Sequence, residues 1–219
     1  MTLFKGIYAL IQKELLLEWR QKHTLFGVLL YVTCTVFVIY MMSGQPESRI
    51  WNALFWIAQL FVTVNTVAKG FLQESENRMR YYHTIVSPVQ LVISKMIYNL
   101  ILMLAMALIS LGFFYILLGN PILYFKNFLI AACLGASALS LLFTFLSAIA
   151  AQARQNAALM AILGFPIAIP LLMILSKLTL TTVANVLQEG WFNMAMLMGG
   201  MSVLIFALSI ILFPFLWKE

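Results

Sequence analysis

Long apolar runs alternate with short polar stretches along this 219-residue chain, a pattern that predicts helices crossing a bilayer. Six runs free of Asp, Glu, Lys and Arg fall at Thr24–Met42, Trp51–Ala68, Met96–Leu118, Phe128–Ala151, Ala158–Ser176 and Trp191–Trp217. Each has about the 17–25 residues that cross roughly 30 Å of hydrocarbon as a helix, the last being slightly longer. Helices are required, because lipid offers no partner to an exposed backbone N–H or C=O. Ahead of the first run, Phe4, Tyr8, Ile11, Leu15 and Trp19 recur at helical spacing, with Lys5, Gln12, Lys13, Arg20 and Lys22 supplying a polar side. This reads as an amphipathic interfacial helix over residues 1–22, its basic groups toward anionic lipid, and not as a leader with a cleavage site.

The longest polar interruption runs from Gln73 to Lys95 and holds Glu74, Glu76, Arg78, Arg80, Tyr81, Tyr82 and His83. A short helix fits Gln73–Ile85 and ends near Val86, since Pro88 disfavours helical backbone at Ser87. Mixed charge, aromatics and a proline stop suit either a passive solvated hairpin or a docking helix for a soluble motor; the residues leave both open. Elsewhere Gly44-Gln45-Pro46 and Gly119-Asn120-Pro121 are turn signals. Lys177–Gly190, threonine-rich and too short to cross twice, is expected to form a re-entrant or interfacial segment.

Composition agrees with a membrane-embedded body. The chain is 63% hydrophobic and 9% charged, with a mean hydropathy of +1.00, against about a quarter charged in soluble domains. Its net charge of +6 is scattered over short loops, which argues against nucleic acid as a partner. With the N-terminus inside, Lys5, Lys13, Arg20, Lys22, Lys69, Arg78, Arg80, Lys95, Arg154 and Lys218 lie on the inner side. Arg49, Lys126 and Lys177 remain outside, so the asymmetry predicts two cytoplasmic termini. Cys34 and Cys133 sit inside apolar runs as small hydrophobes. His23 and His83, at the inner membrane edge, have no second ligand near them in sequence, so no metal or haem site is expected.

Within the spans, chemistry is sparse. The second carries Asn52, Gln59, Thr63, Asn65 and Thr66, an unusual amide load that either bonds neighbouring helices or lines a polar path. Gln59, Thr63 and Thr66 share a face; Gln59, Thr63 and Asn65 are the candidates for polar lining. In the fifth span Pro166 and Pro170 stand four apart and predict a kinked or partly unwound helix, either static shape or the place where a gate bends. Gly199-Gly200 and the small residues of the fourth span suit close helix packing. No Gly-rich phosphate loop ending in Lys-Ser/Thr occurs, nor HExxH, GxSxG or a charged pair within a span. An enzyme is therefore not expected, and active transport would draw its energy from another subunit.

An interfacial N-terminal helix, six spans and a polar helix between the second and third resemble the membrane subunit of a type-2 ABC transporter. Within that group the chain is most similar to the CcmB family, haem exporter B subunits of cytochrome c maturation. The likeness rests on Lys13-Glu14-Leu15 with Trp19-Arg20, on the acidic stretch through Glu74 and Glu76 to Ser87-Pro88, on Lys95, and most on Pro166-Ile-Ala-Ile-Pro170. Asn77-Arg78 and Gln155-Asn156 depart from it where glycine or small residues are usual. The resemblance implies an all-α permease spanning 1–219 as one domain in a bacterial inner membrane, with a coupling helix at 73–86. It implies coupling through Glu74, Glu76, Arg78, Arg80 and Tyr81, and an interfacial role for Glu14, Trp19 and Arg20. It further implies a homodimer driven by a CcmA-type ATPase that carries the ATP, with no cofactor on this chain and haem as cargo. A CcmC-type membrane protein and, indirectly, a periplasmic CcmE-type haem chaperone are the expected pathway partners. ATP would serve either haem transport or release of the haem-loaded chaperone; the absence of a tryptophan-rich haem motif favours release. Two other readings stay open on sequence: a type-2 permease for another lipid-like, drug-like or glycan substrate, and a membrane assembly scaffold without transport.

Overall fold

The computed structural model describes residues 3–20, 22–72, 86–152, 157–183 and 190–216. Among these residues seven helices follow in order: α1 (Leu3–Arg20), α2 (Lys22–Ser43), α3 (Ser48–Leu72), α4 (Pro88–Leu118), α5 (Phe125–Gln152), α6 (Ala157–Val183) and α7 (Trp191–Leu216). No strand occurs among the described residues, so the protein is all-α, as its hydropathy predicts. Helices α2 to α7 each contain a stretch long and apolar enough to cross a membrane.

Helix α5 is the hub. Two thirds (67%) of its apolar stretch is buried, against 17% for α2, and it packs on α3, α4, α6 and α7. Its sequence explains this: Ala131, Ala132, Gly135, Ala136, Ala138 and Ser140 present little bulk, so neighbouring backbones approach closely. A Cβ at Gly135 would collide with the indole of Trp56 on α3, and one at Gly164 on α6 would stand 2.7 Å from Phe143 Cε1 on α5. Gly199 and Gly200, by contrast, face open space within this chain. An aromatic cluster closes the end remote from α1. Trp51 stacks on Phe55 at 5.8 Å, and Phe114 of α4 and Phe128 of α5 meet both rings at 5.4–5.7 Å.

The structure corrects two boundaries. Helix α4 begins at Pro88, not at Met96, which places Lys95 two turns inside a helix whose spanning part was expected to be free of charge. Local chemistry fixes that start. Ser87 is extended (φ −71°, ψ 146°), its Oγ accepts from the Gln90 N–H, and the Gln90 side chain accepts from the Ser87 N–H. This is a capping box with proline at the first helical position, where its missing N–H costs nothing. Helix α6 continues to Val183, so residues 177–183 extend the fifth span and do not re-enter; residues 184–189 lie outside the described residues. The expected turns are present: Gly44 (φ +59°) and Gly119 (φ +83°) adopt backbone that favours glycine, and Asn120 Oδ1 accepts from the Ile122 N–H at 3.1 Å.

Candidate functional site

The sequence points to the connector between α3 and α4, whose residues 73–85, including Glu74, Glu76, Arg78, Arg80 and Tyr81, lie outside the described residues. What is described is the base on which that connector ends. Helix α1 lies along the first turns of α4. Gly6 has no side chain where it meets Gln90; a Cβ there would stand 2.9 Å from Gln90 Nε2. Leu10 packs with Leu91, Val92 and Met96 in a small core that also includes Leu141, Ala148 and Phe213. Glu14 then reaches Lys95, Oε1 to Nζ at 3.1 Å, and also takes Lys13 Nζ at 2.9 Å. The Lys95 side chain is 2% exposed and that of Glu14 14%.

The electrostatics of this joint follow from burial and pairing. Burial pushes the Glu14 carboxyl upward, but Lys95 and then Lys13 pull it down further, so it stays below its ordinary 4.5 and is ionised at neutral pH. A buried ammonium without a partner is strongly destabilising, and removing one member of a buried pair typically costs about 3–5 kcal/mol. Glu14 was expected only to belong to an interfacial helix; its position as the counter-charge of Lys95 was not visible in sequence. The signal that could have revealed it is a lone lysine two turns after a capping box, which requires an acid from elsewhere. Arg20 is exposed, and the surroundings of Trp19 lie outside what the structure describes.

The other candidates separate. Asn52 behaves as a helix-to-helix bond: its Nδ2 donates to Ser176 O at 2.9 Å, and its Oδ1 accepts from Thr179 Oγ1 at 2.7 Å. Thr179 Oγ1 in turn accepts from Trp56 Nε1 at 2.8 Å. Thr179 and Trp56 were missed as members of this α3–α6 brace, because long-range partners leave no spacing signal. Gln59 and Thr63 are 1% and 0% exposed, on one face with Thr66 as expected. Asn65 is exposed and bonds its own helix at Phe61 O, so these three do not line one path. Helix α6 runs unbroken through Pro166 and Pro170, with no unwound turn; both prolines are exposed, while Ala168 and Leu171 between and beyond them are buried.

A family model described as CcmB protein matches residues 5–215. The chain belongs to the CcmB family. It is therefore a haem-exporter permease of cytochrome c maturation, a multi-pass inner-membrane subunit of an ABC transporter and not itself an enzyme. No curated protein matches the chain. For a CcmB protein, the α1–α4 joint stands where the polar connector enters the membrane body.

Proposed function

We propose that this CcmB chain works as a homodimer on which two CcmA-type ATPase subunits dock, with ATP hydrolysis there serving haem delivery for cytochrome c maturation. The observation that supports this reading is the buried Glu14–Lys95 pair, which fastens the interfacial helix to the helix leaving the connector. A force applied to residues 73–86 would then reach α1 and α4 together. Glu74, Glu76, Arg78, Arg80 and Tyr81 are the docking residues, and Trp19 and Arg20 set α1 among the lipid headgroups. Both termini are cytoplasmic, because that orientation leaves the basic excess inside. Pro166 and Pro170, which lack a backbone donor, are where the unbroken α6 would bend when the gate moves. The ATP-driven step releases a haem-loaded CcmE-type chaperone from a CcmC-type membrane partner.

The test is the variant Glu74→Lys/Glu76→Lys, expressed as the sole copy and compared with wild type and with a deletion strain. Deletion removes all c-type cytochromes from a haem-stained gel while other haem proteins persist. The variant stays in the membrane, fails to copurify with the ATPase and gives the same empty gel. Copurification with normal c-type cytochromes would remove the docking assignment; normal cytochromes in the deletion strain would remove the pathway. Well-ordered haem bound between the spans of this subunit would turn the reading from chaperone release to haem transport.

A further inference from the structure

Helix α3 is bonded on one side and unbonded on the other. Toward α6 every polar group of its brace is used, through Asn52, Trp56, Ser176 and Thr179. The adjacent face, read along Trp51, Phe55, Gln59 and Thr66, is different. Trp51 Nε1, both ends of the Gln59 amide and Thr66 Oγ1 are buried with no hydrogen-bond partner. Native interiors rarely leave such groups unpaired, and an amide with neither end bonded needs a physical reason. A leucine or methionine would fill the same space without the penalty.

The register shows what this face looks toward. The rings of Trp51 and Phe55 meet Phe114 of α4 at 5.4 and 5.5 Å. The two helices run in opposite senses here, since Asn99, closer to the start of α4, bonds Thr144, well beyond Phe128 along α5. One turn onward from Phe55 is Gln59, and one turn back from Phe114 is Ser110, which brings these two residues to the same level of the α3–α4 seam. Ser110 is 0% exposed, and its hydroxyl proton goes to Met106 O of its own helix at 2.8 Å. Its lone pairs can still accept, and Gln59 has amide protons to give.

The bracing shows where α4 is held and where it is not. Helices α3, α5 and α6 are locked together by the Asn52–Ser176 and Trp56–Thr179 bonds and by Trp56 and Leu175 seated against Gly135, whereas α4 is tied to this block near its own start, by Asn99 to Thr144 at 3.0 Å, about three turns from Ser110. We propose that α4 has a second seating against this block, in which Gln59 donates to Ser110, and that ATP-driven haem delivery passes through it. The structure shows the first seating, with the Gln59 amide held in reserve. Gln59 and Ser110 are positioning residues: they touch no cargo and act by setting where α4 comes to rest. This inference rests on the permease function stated above.

The experiment uses the full membrane complex carrying Gln59→Met or Ser110→Ala as the sole copy, read by c-type cytochrome content and by the melting temperature of the purified complex in nanodiscs. Gln59→Met removes an unbonded amide from the seating seen here, so the melting temperature rises, by about 2–4 °C for each fivefold of stabilisation in a chain of this size. Cytochrome content falls at least tenfold, because the second seating loses its bond. Ser110→Ala leaves the melting temperature within about 1 °C and lowers cytochrome content similarly, and the double variant is no worse than either. A lowered or unchanged melting temperature in Gln59→Met means the amide is already satisfied, by water or by Ser110 itself, and overturns the proposal. A raised melting temperature with normal cytochromes overturns it too, as does full delivery by Ser110→Ala. If wild type itself fails to restore cytochromes to the deletion strain, it is the functional reading that fails, and the melting data still stand.

Discussion

Gly135 is the position where the bundle has least room to spare. A methyl built there would overlap Trp56 Cη2, stand 2.6 Å from its Cζ3 and lie 2.8 Å from Leu175 Cδ2. Such contacts are untenable, so in Gly135→Ala the indole has to move. It is held from two directions: Nε1 donates to Thr179 at 2.8 Å, and the ring stands edge-on to Phe55 at 5.4 Å. Overpacking a full core costs about 1–3 kcal/mol, and stranding the buried indole donor adds about 1–3 kcal/mol. The sum, on the order of 4 kcal/mol, predicts a melting temperature lower by roughly 10 °C for a chain of this length. Thr179→Val alone strands the same indole donor and costs about 1–3 kcal/mol. The two changes should therefore fall short of additivity by about 1 kcal/mol or more, since the second removes a bond that the first has already broken. Thermal melting of the four proteins in one detergent or nanodisc preparation reads both effects. A Gly135→Ala protein that melts within about 1 °C of wild type would refute the reasoning, and a strictly additive cycle would refute the shared mechanism.

Three further outcomes follow from the α1–α4 joint. Glu14→Lys and Lys95→Glu should each cost about 3–5 kcal/mol in SDS or urea unfolding, while the exchanged pair recovers part of it; no recovery would mean that the contact is incidental. Because the Glu14 carboxyl lies below its ordinary 4.5, its contribution is fully present above that value and is lost as pH falls through the lowered one. Spin labels on α1 and α4 should thus stay close at neutral pH and separate only in acid below about 4.5; separation between pH 6 and 8 would contradict the pairing. Ser87→Ala should cost about 1 kcal/mol and speed amide exchange in the first turn of α4, with unchanged exchange counting against the cap.

Much of this architecture was legible because a bilayer is a strict solvent. Apolar length alone located the six helices long enough to span, and the helical spacing of Tyr8, Ile11 and Leu15 located the helix ahead of them. What apolar length could not see was where α4 begins. Its first two turns are held by a cap and an ion pair, and both require reading Ser87, Gln90 and Lys95 as individual chemistry, not as hydropathy. The extension of α6 escaped for a similar reason: Thr181 and Thr182 bond back to their own helix at Leu178 O and Thr179 O, so a threonine-rich stretch that looks like a loop stays helical. Partners across the bundle, such as Glu14 with Lys95 or Trp56 with Thr179, lie 81 and 123 residues apart and leave no local mark.

The capped start of α4 has a mechanical consequence. At 31 residues the helix is about 46 Å long, roughly 16 Å more than the hydrocarbon it crosses. Because the capping box prevents its first turn from fraying, the surplus is a stiff lever arm and not slack. A tilt of about 10° over that length displaces one end by about 8 Å relative to the other. Any displacement of the Ser87 end would thereby be carried undiminished to the far end of the helix, where Phe114 meets Trp51 and Phe55.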